Sequence, residues 1–160
     1  MNKISKEYQK SLAIWAADCA ERMLHFFEKE RPNDDRPRKA IEKCREWART
    51  GEFHMKEIRN ASLSAHSAAK EVKENNAACF AAHAAGQAVA TAHVPQHAFG
   101  TAYYTLKIAA IDGEVEKELN WQSKHLPKHL RKEWIEIFSK RLPKKMKVEF
   151  KKFLKNKKDS

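Results

Sequence analysis

The chain has little glycine and little proline, four and five residues in 160, so it lacks the turn residues that a many-stranded architecture consumes. Cysteine is scarce as well. Cys19, Cys44 and Cys79 are odd in number, show no CxxC spacing and sit among helical apolar positions. That pattern argues against a disulfide framework or a zinc knuckle and reads as buried thiols in a reducing cytoplasm. No apolar run approaches the roughly 20 residues of a membrane span. The run LAIWAA follows Lys3, Lys6 and Lys10, but it is short, and Asp18 stands directly before Cys19. Neither a signal peptide nor a lipid anchor is expected, and the protein reads as cytoplasmic. Also missing are GxxxxGKS/T, GxSxG and HExxH, which removes the P-loop ATPase, nucleophile-elbow hydrolase and zincin classes. No enzymatic activity and no cofactor are expected.

Charge is missing from one stretch. Between Asn75 and Ile111, Lys107 is the only Asp, Glu, Lys or Arg, in a chain that is 33% charged. Such a gap marks what the fold places inside. The stretch reads as two helices meeting at Pro95, because alanine, leucine and glutamine favour helix while proline lacks the N–H and clashes with the preceding turn. The first of the two is apolar or small almost all round, the pattern of a central helix.

Around that centre the apolar periodicity is helical throughout. Leu12, Trp15, Ala16, Cys19, Met23, Phe26 and Phe27 predict an amphipathic helix from about residue 9 to 30, with Asp18 and Arg22 four apart on its other side. In the loop RPNDDRP, Asp34 or Asp35 is placed to cap the next helix and Pro37 suits its first turn. That helix buries Ala40, Ile41, Cys44, Trp47 and Ala48 and stops at Thr50 and Gly51. A third helix carries Ile58, Ala61, Ala65, Ala68, Ala69 and Val72, small residues that let it pack closely on the Ala-rich helix beyond Asn75 and Asn76. Gly86 in a helix interior costs about 1 kcal/mol relative to alanine, which predicts a neighbouring backbone crossing there. Past Pro95, the stripe Phe99, Ala102, Tyr103, Leu106, Ala109 and Ala110 predicts a fifth helix. A sixth carries Val115, Leu119 and Leu126, with Trp121 off that stripe; a seventh carries Leu130, Trp134, Ile137 and Phe138. After Pro143 a lysine-covered helix carries Met146, Phe150, Phe153 and Leu154, its last five or six residues expected to fray.

A length of 160 residues suits one domain that buries roughly 70% of the surface its unfolded form exposes. The expected fold is an all-α bundle of about seven to eight antiparallel helices around an Ala-rich central hairpin. An irregular HEAT-like solenoid is the alternative, since the helix pairs repeat about every 40 residues. Residues 1–139 read as the helical domain, and 140–160 as a Lys-rich amphipathic helix and tail packed on it.

The formal net charge of +11 is unevenly placed. Residues 1–123 hold 18 Lys and Arg against 17 Asp and Glu, while residues 124–160 hold 14 against 4. A neutral body with a basic last quarter points to an acidic partner, a nucleic acid, an anionic membrane surface or a solvated tail. In KRLPKKMKVEFKKFLKNKKDS, lysines interleave with aromatics, a pattern able to bind phosphates without reading sequence. It fits equally a helix docked by its apolar stripe with the lysines in water.

Besides the basic tail, two groups of residues are candidates for a site. His83, His93 and His97, with His66 on the preceding helix, are the residue type transition metals take, and His93-xxx-His97 has helical ligand spacing. Pro95 interrupts the helix that would align them, and the stretch offers no carboxylate to complete a site. They therefore read as interior histidines bonded to backbone carbonyls and neighbouring helices, with no metal. Asp18, Glu21, Arg22, Asp34, Asp35, Arg36 and Arg38 form a charged group around the first helix and its loop. Pairing at i,i+4 and helix capping explain these positions without acid–base chemistry.

The segments AADCAERML at 16–24, NDDRPRKAIE at 33–42 and ATAHVPQHAFGTAYYTLKI at 90–108, in that order, resemble the Imm-5-like family of immunity proteins of bacterial polymorphic toxins. The resemblance runs from about residue 10 to 135. It implies a small cytoplasmic helical protein that binds a cognate toxin and neutralises it by protein–protein interaction. Its family-motif or interaction positions would be Asp18, Glu21 and Arg22, then Asp34, Asp35, Arg36 and Pro37, then His93, Pro95 and His97. The lysine-rich tail looks like an addition beyond the family core. Because like charges repel across an interface, a basic protein of this kind is expected to meet a toxin with an acidic or neutral contact face. The alternative function is nucleic-acid association through the basic C-terminal helix.

Overall fold

The computed structural model describes residues 4–158, and within them every regular element is a helix. Eight α-helices follow one another: α1 (Lys6–Glu30), α2 (Arg36–Thr50), α3 (Met55–Lys70), α4 (Asn76–Ala90), α5 (His97–Ile111), α6 (Val115–His125), α7 (Arg131–Arg141) and α8 (Lys144–Lys158). A single 3₁₀ turn, Lys128–Leu130, joins α6 to α7 after Pro127. Residues 155–158, expected to fray, belong to α8; residues 159 and 160 lie outside the described residues.

Local chemistry sets most of the boundaries. The Ser5 hydroxyl accepts from the Tyr8 N–H at 3.3 Å and opens α1. The Asn75 side chain accepts from the Ala78 N–H at 3.1 Å and opens α4. Gly51 closes α2 with φ 73°, the left-handed conformation only glycine adopts freely, and its N–H reaches the Trp47 carbonyl at 2.7 Å. At the start of α2 the Asp34 carboxylate accepts from the Arg36 N–H at 3.1 Å, whereas Asp35 occupies the cap position without a capping bond.

α4 is the hub, packed against α1, α2, α3 and α5 at once, and α1 also reaches α5. These non-sequential contacts make the fold a bundle, since solenoid repeats touch only their neighbours in sequence. Alanines allow the close approach: Ala78, Ala81, Ala82, Ala84, Ala85 and Ala88 of α4 are all fully buried. Gly86 belongs to the same economy of space, and what stands nearest to it across the α3–α4 contact is a ring. The imidazole of His66 on α3 lies over it, so near that a Cβ on Gly86 would stand 2.7 Å from His66 Nε2. The Ser62 hydroxyl donates to the Gly86 carbonyl at 2.9 Å and fixes the crossing of α3 on α4.

The expected apolar stripes are largely the buried ones. Ala110 is an exception, exposed near the end of α5, and Tyr103 is only half-buried. Cys19 and Cys44 are buried free thiols and Cys79 is a half-buried one. Burial pushes the Cys44 thiol up to about 12, and Cys44 Sγ donates to the Ala88 carbonyl at 3.1 Å.

α7 and α8 close the bundle with aromatics. The Trp134 ring meets Phe150 edge-on at 5.2 Å, and Phe138 meets Phe150 at 5.6 Å, all three buried. Fully burying each such ring contributes on the order of 2 kcal/mol. Met146, Phe150 and Phe153 of α8 face the core, while Lys144, Lys145, Lys151, Lys152 and Lys155 are exposed on its other side.

Candidate binding cleft between α5 and α7

The charged residues singled out from the sequence are tied into the fold, Asp34 and Asp35 by local partners and those of α1 by partners on other helices. Asp18 does not pair with Arg22 four residues on. Instead Arg45 of α2 reaches Asp18 at 2.9 Å and Glu21 at 3.1 Å, clamping α2 to α1. Arg22 turns to α6, where its Nη1 meets Glu118 Oε2 at 2.6 Å and its guanidinium lies 4.1 Å over the Trp121 ring. Helical spacing brings positions i and i+4 to one face, but the fold presents each of these side chains with a partner from another helix. Arg36 holds Asp34 through two bonds, at 2.9 and 2.7 Å, and also reaches Glu71 at the end of α3. Asp35 pairs with Lys39 at 3.2 Å, and Arg38 holds Glu28 with two bonds of 2.7 Å. The arginine contacts keep the Glu28 and Asp34 carboxyls below their ordinary range.

Behind the Arg22 pair lies a polar network that the sequence did not reveal. Glu118 is only 1% exposed, and its Oε1 accepts from Gln122 Nε2 at 3.1 Å. Gln122 Nε2 also reaches the Ala102 carbonyl and Thr105 Oγ1, while Gln122 Oε1 accepts from Trp134 Nε1 at 3.2 Å. The Gln122 backbone carbonyl accepts from Trp15 Nε1 at 3.1 Å. One residue, through its side chain and its carbonyl, therefore connects α1, α5, α6 and α7. The available signal was the i,i+4 spacing of Glu118 and Gln122 beside the apolar positions Val115 and Leu119.

The histidines do not converge. His66 and His83 face each other across α3 and α4 with their Nδ1 atoms 2.7 Å apart, so one must donate and the other accept. Of the expected partners, backbone carbonyls and neighbouring helices, this pair takes the second. Burial pushes both imidazoles down, His66 to about 4. His97 donates from Nδ1 to Gln87 Oε1 at 2.7 Å, and burial likewise pushes it down. His93, in the turn before Pro95, is exposed and stacks on Phe53 at 6.2 Å. Among the described residues no three His, Cys, Asp or Glu side chains are grouped to hold a metal ion.

His97 instead helps line an open cleft of about 700 Å³. α5 contributes Phe99, Tyr103 and Tyr104, α7 contributes Ile137 and Arg141, and α4 contributes Gln87. Apart from His97, none of these polar or aromatic residues stood out as a site in the sequence, because they come from three different helices. No carboxylate lines the cleft, and Arg141 has no ion-pair partner among the described residues. A second surface lies on α3 and the loop before it. There Phe53, Met55 and Leu63 are exposed, Leu63 by 54%, beside Arg59 and His93.

Fold and site together define an all-α protein with its motif charges tied into ion pairs and an open, aromatic-walled cleft. Over residues 2–129 the chain matches the model of the family described as "Imm-5 like putative immunity protein", and it belongs to that family. α7 and α8 lie beyond the matched residues. No curated protein and no solved structure matches the chain. None of the helices among the described residues is long and apolar enough to cross a membrane.

Proposed function

We propose that this protein binds a cognate bacterial toxin in the cytoplasm and neutralises it by protein–protein contact, with no reaction of its own. The observation that carries this reading is the family match, which spans α1 to α6. Two features support it. The motif residues Asp18, Glu21, Arg22 and Arg36 have structural partners on other elements, and Asp34 is held by Arg36, which accounts for them without catalysis. Exposed aromatic, methionine and arginine side chains, as in the patch around Phe53, Met55 and Arg59, are the types enriched at interface centres. In this reading residues 1–139 carry the immunity function and 140–160 are an accessory segment. The toxin's contact face is acidic or neutral, because the chain carries a net charge of +11.

The test is a pull-down from the native cell at about 0.15 M salt, where exposed charge contacts are already screened, followed by expression of the captured protein with and without this one. Recovery of one stoichiometric protein whose toxicity this chain suppresses is the expected result. Recovery of nucleic acid alone, in amounts that collapse with added salt, would overturn it.

The exposed lysine face of α8 favours a second reading, non-specific association with nucleic acid. Replacing Lys144, Lys145, Lys151 and Lys152 by glutamine separates the two readings. Nucleic-acid binding would be lost in that variant, while toxin suppression through the body would survive.

A further inference from the structure

The geometry points to the cleft between α5 and α7 as the docking site for an acidic segment of a protein partner. One apolar side chain of that segment enters between Phe99, Tyr103 and Ile137, and a neighbouring carboxylate pairs with Arg141. The inference deepens the immunity reading and depends on it for the partner's identity alone.

The cleft volume, about 700 Å³, lies within the usual range for a site that encloses a small ligand or a few side chains. Its walls are aromatic and aliphatic, so an apolar group gains by entering, and rigid aromatic side chains lose little entropy in receiving it. Its polar equipment selects the charge of the visitor. Arg141 presents a planar fork of donors suited to a carboxylate and has no acidic partner among the described residues. The neighbouring cation Lys140 is already held by Glu136 at 3.3 Å. With Gln87 Oε1 occupied by the His97 N–H, the amide NH₂ of Gln87 remains as a further donor. No lining carboxylate would repel an acid. Lys107, over the Phe80 ring at 4.2 Å and 5.3 and 5.9 Å from the Tyr103 and Tyr104 ring centres, adds positive potential beside the aromatic wall.

These features favour a peptide over a nucleic acid. A phosphate backbone is bound by several cations along a track, whereas this cleft offers one guanidinium and an apolar floor. The lysines that could follow a phosphate backbone lie on the exposed face of α8. The larger field still favours an acid, since residues 124–160, which supply the α7 wall, hold 14 Lys and Arg against 4 Asp and Glu.

The test uses the full chain labelled with ¹⁵N and two capped synthetic peptides, DELWDE and its amide counterpart NQLWNQ, titrated at about 0.15 M salt. The acidic peptide should move the amide signals of Gly100, Tyr103, Tyr104 and Ile137 and bind about tenfold more tightly than the amide peptide, as a charge-assisted pair predicts. Arg141→Gln, a change at an exposed position, should abolish that discrimination. Tyr103→Ala should weaken both peptides alike. Equal binding of the two peptides, shifts confined to Lys144, Lys145, Lys151 and Lys152, or no cleft shifts at millimolar peptide would each overturn the assignment. Its failure is distinguishable from failure of the immunity reading. A captured toxin that binds Arg141→Gln as well as the native chain sinks the cleft and leaves immunity standing. Arg141-dependent binding of DELWDE with no toxin found supports the cleft and leaves the immunity reading without its partner.

Discussion

Arg22 on α1 and Glu118 on α6 form an ion pair of 2.6 Å in which the glutamate side chain is almost wholly enclosed and the arginine is 30% exposed. The asymmetry decides how the pair fails. Removing the arginine strands a buried carboxylate, whereas neutralising the glutamate leaves a cation able to turn toward water. Arg22→Ala should therefore cost about 3 kcal/mol in urea unfolding, and Glu118→Gln clearly less. Equal losses, or an Arg22→Ala cost under about 0.5 kcal/mol, would show that the pair is not the anchor between α1 and α6.

Gly86→Ala sets two effects against each other. Helix propensity favours alanine by about 1 kcal/mol, but the new methyl would stand 2.7 Å from His66 Nε2, and overpacking of this kind costs about 1–3 kcal/mol. The substitution should thus be destabilising alone and tolerated together with His66→Ala. A double-mutant cycle by chemical denaturation reads the coupling; additive effects would mean that His66 is not what excludes a side chain at position 86.

How far the sequence shows this fold depends on how local each signal is. Asn75, Pro37 and Gly51 act within their own turn, so α2 begins and ends, and α4 begins, where these residues predict. The uncharged stretch from Asn75 to Ile111 marks α4 and α5 because burial is a property of whole helices. Partner choice is not local. Asp18 and Arg22 look like a pair in sequence, yet Arg45 and Glu118 outcompete that spacing once α2 and α6 are docked. Gln122 sits in a polar helix, and beyond its i,i+4 spacing to Glu118 nothing marks it until Trp15 and Trp134 converge on it. The cleft joins Gln87, Tyr103 and Arg141 from three helices, and no periodicity along one helix can reveal that meeting.

Acid should loosen the contact between α3 and α4 before it protonates the surface ion pairs. Burial, with the neighbouring His83, Lys70 and His97, holds folded His66 to about 4 against an ordinary 6.5. Burial also lowers His83, with Lys70 and Lys107 nearby. The unfolded chain therefore binds more protons between these limits, so stability is full above pH 6.5 and declines as pH falls toward 4. Glu28 and Asp34, with carboxyls lowered from 4.5 and 3.8, lose their contribution only at lower pH. The urea midpoint measured against pH should show the first decline flattened in His66→Gln. An unchanged slope in that variant would place the titrating group elsewhere.

α8 presents two faces with opposite expected sensitivities. Phe150 is buried and packed edge-on against Trp134 at 5.2 Å, so Phe150→Ala should cost about 3–5 kcal/mol. Lys151→Gln and Lys152→Gln change exposed positions and should each stay within about 0.5 kcal/mol of the native chain. This contrast also determines how the segment can be tested for function. Truncation before α8 would strip Phe150 and Phe153 from Trp134 and Phe138, confounding lost charge with lost core. Lysine-to-glutamine variants remove the charge alone. If Phe150→Ala proved as mild as the lysine changes, α8 would not be docked as described, and truncation would become the cleaner experiment.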